Sequence, residues 1–333
     1  MTNFAFSVRR RCRGLIILAA LVGLVAFQGL AQAAEITAAE MAKLDALPPG
    51  NELLFEQADP PPPPDRVSPT EHVVVPATTS TLNPDDNDTS ADSLPPWRRY
   101  AAYSPELRDG PLVAIVIDDL GHSRHHLNPV FSFDIPLTLA FLPYPAMARQ
   151  LAANARSKGY ELLVHMPMEP GDENVDPGPG ALTTDLDDDA LRQAIVANLN
   201  GLEGYVGINN HMGSKFTRSA RSMQIVMEEL ATRGLLYLDS ITTGRSQGWR
   251  EAEKLRMPYA KRDVFLDNNP MADAVVQQLE QLEARARQYG YAVAIGHPHP
   301  ETFEAIARWL PGAQERGIEV VPLSTIAALE CAC

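Results

Sequence analysis

Leu112-Val113-Ala114-Ile115-Val116-Ile117 runs without a polar break into Asp118-Asp119. Six apolar residues in succession read as a strand buried on both faces, the pattern of a parallel sheet covered by helices. The run then stops in two carboxylates, so charge begins where a hydrophobic wall ends. The same signature recurs at Leu137 to Leu142, Tyr160 to Val164, Tyr205 to Ile208, Leu235 to Leu238, Val264 to Leu266, Tyr291 to Ile295 and Ile318 to Val321. Between these runs, apolar residues return at helical spacing. Leu191, Ile195, Leu199 and Leu202 follow an acidic start at Asp187-Asp188-Asp189, and Met223, Val226, Met227 and Leu230 lie between Ser219 and Gly234. Val275, Leu279, Leu282 and Ala286 stop at Gly290, and Phe303, Ile306, Ala307 and Leu310 are expected to stop at Pro311-Gly312. This alternation over residues 109–330 predicts an α/β domain, and its strand number favours a deformed (β/α)7-8 barrel over an open doubly wound sheet. No G-x-G-x-x-G follows the first strand, which argues against a dinucleotide fold.

Composition narrows the function classes. The 333 residues carry 28 Lys+Arg against 42 Asp+Glu, a formal net charge of −14 and a pI near 5.0. A nucleic-acid binder needs a basic surface to replace counterions, so nucleic acid is excluded as a partner. Three cysteines are too few for a disulfide scaffold. Cys331 and Cys333 close the chain as C-x-C, read as a frayed tail.

Outside residues 109–330 the sequence changes character. Residues 1–33 read as a signal peptide: Arg9, Arg10, Arg11 and Arg13 precede an apolar run from Leu15 to Phe27, and Ala31-Gln32-Ala33 offers a cleavage site. The run is short of the roughly 20 apolar residues that cross a bilayer, although Gly14 to Ala34 could serve as an uncleaved anchor. Either way the domain is expected outside the cytoplasm, in the periplasm or tethered to the outer face of the inner membrane, with membrane contact only if the segment stays. Residues 34–56 form a short segment with a weak helical pattern. Residues 57–108 read as a disordered linker, with Pro60 to Pro64 extended and Thr78 to Asp92 too polar to offset the entropy of ordering.

Chemistry gathers at the strand ends, where a β/α barrel presents its reactive groups. Asp118-Asp119, His165, Asn209-Asn210-His211, Asp239-Ser240, Asp267-Asn268 and Gly296-His297 each follow an apolar run. Burial raises the pKa of paired carboxylates, and a bound cation removes that cost. His165 and His211 would complete an N/O donor set of the kind zinc occupies. Alternation along a strand points Asp118 and Asp119 to opposite sides, which implies different tasks. The bland alternative is an Asp-Asp turn capping the next helix. His122, His125 and His126 read as a solvated helix start. His299, between two prolines, is either part of a rigid loop or a ligand paired with His297. Trp249 and Tyr259 are either sugar-stacking surfaces or core.

These residues also carry a resemblance. Ile117 to Gly121 resembles the T-F-D-D-G motif of NodB-like polysaccharide deacetylases, and Pro136 to Phe141, Gly159 to His165 and Ala294 to His297 resemble later segments of that family. The order I-D-D-x-G, H-x-P-M-x-P, N-N-H-M-G-S and G-H-x-x is closer still to the divergent (YibQ-like) branch. Here these are Ile117 to Gly121, His165 to Pro170, Asn209 to Ser214 and Gly296 to Pro300. The resemblance implies a deacetylase barrel with Asp118 as general base, Asp119 and His165 as metal ligands and His297 as general acid. The NodB-like pattern has a second histidine where this chain has Glu169, and an Arg-Pro-Pro-Tyr-like motif where it has Asn209 to Ser214. His211 is therefore proposed as third ligand, with Glu169 the weaker candidate. The absent arginine leaves the base without its usual partner. Secondary roles fall to Asn209, Asn210 and Ser214, with backbone N–H groups near Gly213-Ser214, or the metal itself, holding the oxyanion, and to Asp239 or Asp267 as the group that orients His297.

The expected activity is metal-dependent hydrolysis of N-acetyl (or O-acetyl) groups on an envelope polysaccharide such as peptidoglycan, with zinc the first candidate metal. The alternative is a catalytically weak or inactive barrel that binds glycan, or a cell-wall enzyme, as a regulator. A serine hydrolase is disfavoured, because no G-x-S-x-G elbow is present.

Overall fold

The computed structural model describes residues 93–102 and 110–331. The expected signal peptide and the 34–56 segment lie outside the described residues, as does the linker as far as residue 92. In chain order the elements are α1 (Pro96–Arg99), β1 (Leu112–Leu120), α2 (Arg124–Leu127), β2 (Thr138–Phe141), α3 (Ala148–Ser157), β3 (Glu161–Met168), α4 (Asp188–Leu199), β4 (Gly207–Met212), α5 (Ala220–Thr232), β5 (Leu236–Asp239), α6 (Gly248–Lys254), β6 (Tyr259–Lys261), β7 (Val264–Phe265), α7 (Ala272–Tyr289), β8 (Tyr291–Gly296), α8 (Pro300–Glu315), β9 (Glu319–Val320) and α9 (Leu323–Glu330). All pairings between these strands are parallel, in the order β6-β5-β4-β3-β2-β1-β8-β7, with β9 against β1.

The ring closes through one bent segment. β6 pairs with β5 and β7 pairs with β8, and only Arg262 and Asp263 separate them. Arg262 donates its backbone N–H to Asp239 O at 2.9 Å on the β5 side, and Asp263 donates to Val293 O at 2.8 Å on the β8 side. The chain thus steps from one edge of the sheet to the other, which makes the expected barrel a deformed one.

Residue parity sorts the core into two bodies. Leu112, Ala114 and Val116 join Ala140, Leu163, Leu236, Leu238, Ala260, Val293 and Ile295 inside the barrel. Val113, Ile115, Ile117, Leu139, Phe141, Leu162 and Val164 face the helices. Side chains alternate along a strand, so continuing each inward series toward the C-terminal end reaches Asp118, His165, Asn209, Ser240, Arg262 and His297. Those residues form the polar layer at the barrel mouth. At the other end α9 plugs the barrel with Leu323, Ile326 and Ala327. There the buried Glu161 carboxylate accepts from Ser324 N at 3.0 Å, from Thr138 Oγ1 at 3.2 Å and from the Ser324 hydroxyl.

Several expectations change. The last ten residues described before the domain, 93–102, dock on it instead of continuing the linker. Trp97 is buried in the inner core and donates its backbone N–H to Gly234 O at 3.1 Å, while Arg156 Nη1 donates to Tyr100 O at 2.7 Å. The helix expected to end at Pro311 runs on as α8 to Glu315. Proline deletes one N–H there, but Trp309 and Ala313 keep the same buried face, and that burial carries the helix past it. α3 and α9 escape the periodicity reading because alanine makes much of their apolar face. Tyr259 belongs to the core, whereas Trp249 is half-buried under Lys261 and Arg250. Cys331 is buried and disulfide-bonded, so the described end of the chain is not frayed. Among the described residues no helix is long and apolar enough to cross a membrane.

Candidate metal centre

β1 delivers both aspartates to one place. Asp118 continues the inward series and is 2 % exposed. Alternation would send Asp119 outward, but Asp119 adopts φ 55°, and the β1–β2 register shifts between Ile117 and Leu120. That bulge turns the second carboxylate back over the mouth. Both acids consequently approach Nε2 of His165, Asp118 Oδ2 at 3.6 Å and Asp119 Oδ1 at 3.2 Å. The expectation that neighbouring strand positions separate the two is corrected by this single left-handed residue.

His211, two residues past Asn209 on the inward face of β4, completes the group. Its Nδ1 lies 3.0 Å from Asp119 Oδ1 and 3.2 Å from His165 Nε2. The three donor atoms form a nearly equilateral triangle with edges of 3.0 to 3.2 Å. Tetrahedral zinc, with bonds of about 2.0–2.2 Å, sets neighbouring ligand atoms about 3.3 Å apart. Asp119 Oδ1 is buried yet receives no well-directed hydrogen bond. One buried and one half-buried carboxylate and two imidazoles therefore fit a divalent cation in charge, donor type and spacing.

Asn209 fixes the tautomer. Its Nδ2 donates to Asp118 Oδ1 at 2.9 Å and to Oδ2 at 3.0 Å, and also lies 3.3 Å from Ser240 Oγ. The amide oxygen must then face His165 Nδ1, 2.9 Å away. An amide oxygen only accepts, so Nδ1 carries the proton and Nε2 turns its lone pair to the triangle.

The electrostatics follow from burial and charge. Desolvation raises the Asp118 pKa, only partly opposed by His165 and His297. Burial also works against charge on Asp119, but the His165 and His211 imidazoles outweigh it and hold that carboxyl well below its ordinary range. His165 is pushed down by burial and up by Asp118 and Asp119, and the aspartates win. The two carboxylates thus favour positive charge at this cluster.

On the other side of Asp119, His297 Nε2 lies 3.8 Å from Oδ2. Its Nδ1 is 3.0 Å from Asp267 Oδ1, and its backbone N–H and Thr302 Oγ1 both donate to Asp267 Oδ2. Burial opposes an imidazolium at His297, yet the Asp267 carboxylate raises its pKa to about 10. Of the two candidates for orienting this ring, Asp267 is the one in contact. Asp239 sits on the outward face of β5, where it accepts from Ser246 Oγ at 2.7 Å and from Trp249 N at 3.1 Å.

Other expected residues are engaged elsewhere. Glu169 binds Lys215 Nζ at 2.6 Å and Thr184 Oγ1 at 2.7 Å, outside the donor triangle. Ser214 Oγ accepts the Gly171 N–H at 2.7 Å, tying two loops together. Asn210 points outward, donating to Met212 O at 2.8 Å and accepting from Ser240 N at 2.9 Å.

Sequence reading missed Arg262. Its Nε donates to Ser240 O at 2.7 Å and its Nη2 to Ile241 O at 2.9 Å, bracketing Ile241, which is held at φ 47°. Burial pushes this guanidinium down to about 10 against the opposing charges of Asp239, Asp263 and Asp118. The cation absent from the Asn209–Ser214 segment thus reaches the mouth from the barrel crossing. The only sequence signal was a charged triplet, Lys261-Arg262-Asp263, set between two strand runs.

A parallel α/β barrel with an Asp/His donor triangle at its C-terminal mouth defines a class of candidate metal-site proteins. Comparison with known proteins narrows it. The family model for divergent polysaccharide deacetylases matches residues 115–327, and the chain belongs to that family. It is similar to the uncharacterized protein YibQ of Escherichia coli (strain K12), 37 % identical over 194 residues, which are 58 % of this chain and 60 % of that protein. It thus spans well under two thirds of that relative's length. An uncharacterized protein of Haemophilus influenzae is 32 % identical over 204 residues, 61 % of this chain and 72 % of the relative. Among solved structures, an uncharacterized protein from Agrobacterium tumefaciens C58 superposes with a TM-score of 0.67 and 29 % identity, over 71 % of this chain and 96 % of that one.

Proposed function

We propose that this protein is an exported, metal-dependent hydrolase that removes N-acetyl (or O-acetyl) groups from an envelope polysaccharide such as peptidoglycan. The observation that carries the reading is the 3.0–3.2 Å triangle of Asp119 Oδ1, His165 Nε2 and His211 Nδ1 with the Asp118 carboxylate beside it. Those three residues would hold a zinc-type cation, which when bound would supply Lewis acidity to the acyl group.

Asp118 acts as general base. Its buried carboxylate, aligned by Asn209, takes one proton from the attacking water as the new C–O bond forms. His297, on the far side of Asp119 and oriented by Asp267, gives a proton to the leaving nitrogen as the C–N bond breaks. Products are acetate and the free amine. The mouth opens into a cavity of about 300 Å³ bordered by Asp119, Tyr144, His211 and His297, room for one sugar.

The test is acetate release from N-acetylated chitooligosaccharides and peptidoglycan fragments by zinc-loaded protein. Wild type should release acetate, and Asp118→Asn and His297→Ala should each abolish it. Glycan binding without acetate release across the panel would replace this reading with that of a non-catalytic glycan-binding regulator.

A further inference from the structure

A second group of donors stands on the same rim. A carboxylate oxygen of Asp267, a ring nitrogen of His297 and a ring nitrogen of His299 lie within 4.8 Å of one another. The backbone holds them there. His299 donates its N–H to His297 O at 2.8 Å, closing a tight turn around Pro298, and His299 is itself the N-cap of α8. The two rings sit 6.1 Å apart between centroids. Asp267 keeps Oδ2 occupied by the His297 N–H and Thr302, while Oδ1 meets only the His297 ring, whose Nδ1 lies 3.0 Å away and would have to yield it to a cation. The exposed His299 ring makes no side-chain hydrogen bond among the described residues, so its lone pair is free for a cation. An independent sign comes from His126. Its Nδ1 is buried with no hydrogen-bond partner, and it lines the cavity that His297 and His299 also line.

We propose that Asp267, His297 and His299 form a second, weaker site for a zinc-type divalent cation, separate from the Asp119–His165–His211 triangle. One carboxylate oxygen and two imidazoles are the donor types that borderline cations prefer over calcium or magnesium. The second site is weaker because it is open to water at His299 and because a cation there must displace the 3.0 Å contact between His297 Nδ1 and Asp267 Oδ1. Binding there and the Asp267–His297 hydrogen bond are mutually exclusive. The inference does not depend on hydrolysis.

The test is equilibrium dialysis of the full chain against buffered zinc(II) alone, with bound metal measured by elemental analysis. Wild type should bind two equivalents, one of them at least tenfold weaker. His299→Gln, an exposed position that the fold tolerates, should lose the weaker equivalent and keep the tight one. His211→Gln should do the reverse. A wild type that saturates at one equivalent, itself lost in His211→Gln, or a His299→Gln protein that still binds two, overturns the second site. A single equivalent that survives in His211→Gln and is lost in His299→Gln would instead overturn the metal centre proposed for catalysis and leave the second site standing.

Discussion

Asp118 and Asp119, consecutive on one strand, both face the same nitrogen of His165, at 3.6 and 3.2 Å. Regular β geometry forbids this, and the φ of 55° at Asp119 permits it. Aspartate visits that region more readily than most residues, so the strain is tolerable. In the proposed metal centre the same side chain would supply the charge that holds a dication between two imidazoles. Asp119→Asn keeps the shape and the backbone preference but removes the charge. Its expected phenotype is an unchanged far-ultraviolet circular dichroism spectrum with tight zinc content reduced at least tenfold, read by elemental analysis after gel filtration.

Asn209 couples the proposed base to a proposed ligand, because one amide serves Asp118 with its N–H and His165 with its oxygen. Groups of this kind behind a ligand typically contribute 10- to 100-fold in metal affinity or activity. Asn209→Asp reverses the logic, setting a third carboxylate against Asp118, so that the pair takes up a proton and Asp118 is lost as a free base. Zinc affinity and acetate release should each fall by roughly that factor. Asn209→Asp with wild-type zinc affinity would remove Asn209 from the tautomer argument.

How far the sequence alone leads is set by what side-chain parity can encode. The apolar run to Ile117 and its polar stop identify a barrel strand and its reactive end, and the same parity places His165, Asn209 and His297 inward. The φ of Asp119 leaves no trace in the residue pattern, so the doublet reads as divided between two faces. Arg262 is also invisible, because its role depends on a chain segment that changes neighbours within two residues. Asp239 and Asp267 look alike from the sequence, each ending an apolar run. Only the outward phase of β5 separates the acid that braces Trp249 and Ser246 from the acid that holds His297.

The Asp267–His297 pair makes a pH prediction with a definite sign. In the metal-free protein the His297 pKa is raised to about 10 against an unfolded value of about 6.5. A raised folded pKa means that the imidazolium stabilises the fold fully below about pH 6.5, and that this contribution is lost as pH rises through about 10. Asp267→Asn removes the carboxylate responsible. Urea unfolding of the metal-free proteins should show the wild-type advantage over the variant shrinking across that window. In acetate release, the alkaline limb of the variant's profile should move to lower pH. A variant whose stability runs parallel to wild type from pH 6 to 10 would sink the assignment.

At the opposite end of the barrel the Glu161 carboxylate, itself buried, accepts from both the N–H and the hydroxyl of Ser324 and from Thr138. Burial raises its pKa, and those donors only partly restore the charged form. Ser324→Ala deletes one donor and leaves a buried acceptor less satisfied, a change that costs about 1–3 kcal/mol. The loss should appear in urea unfolding as a lower midpoint with unchanged slope, because α9 remains the plug and the surface exposed on unfolding is the same. The Asp119–His165–His211 triangle lies at the other mouth, and no inward residue of the apolar layer between them carries charge. Zinc stoichiometry of Ser324→Ala should therefore equal wild type. A fall in bound zinc, with stability unchanged, would mean that the two ends of the barrel are coupled through that layer.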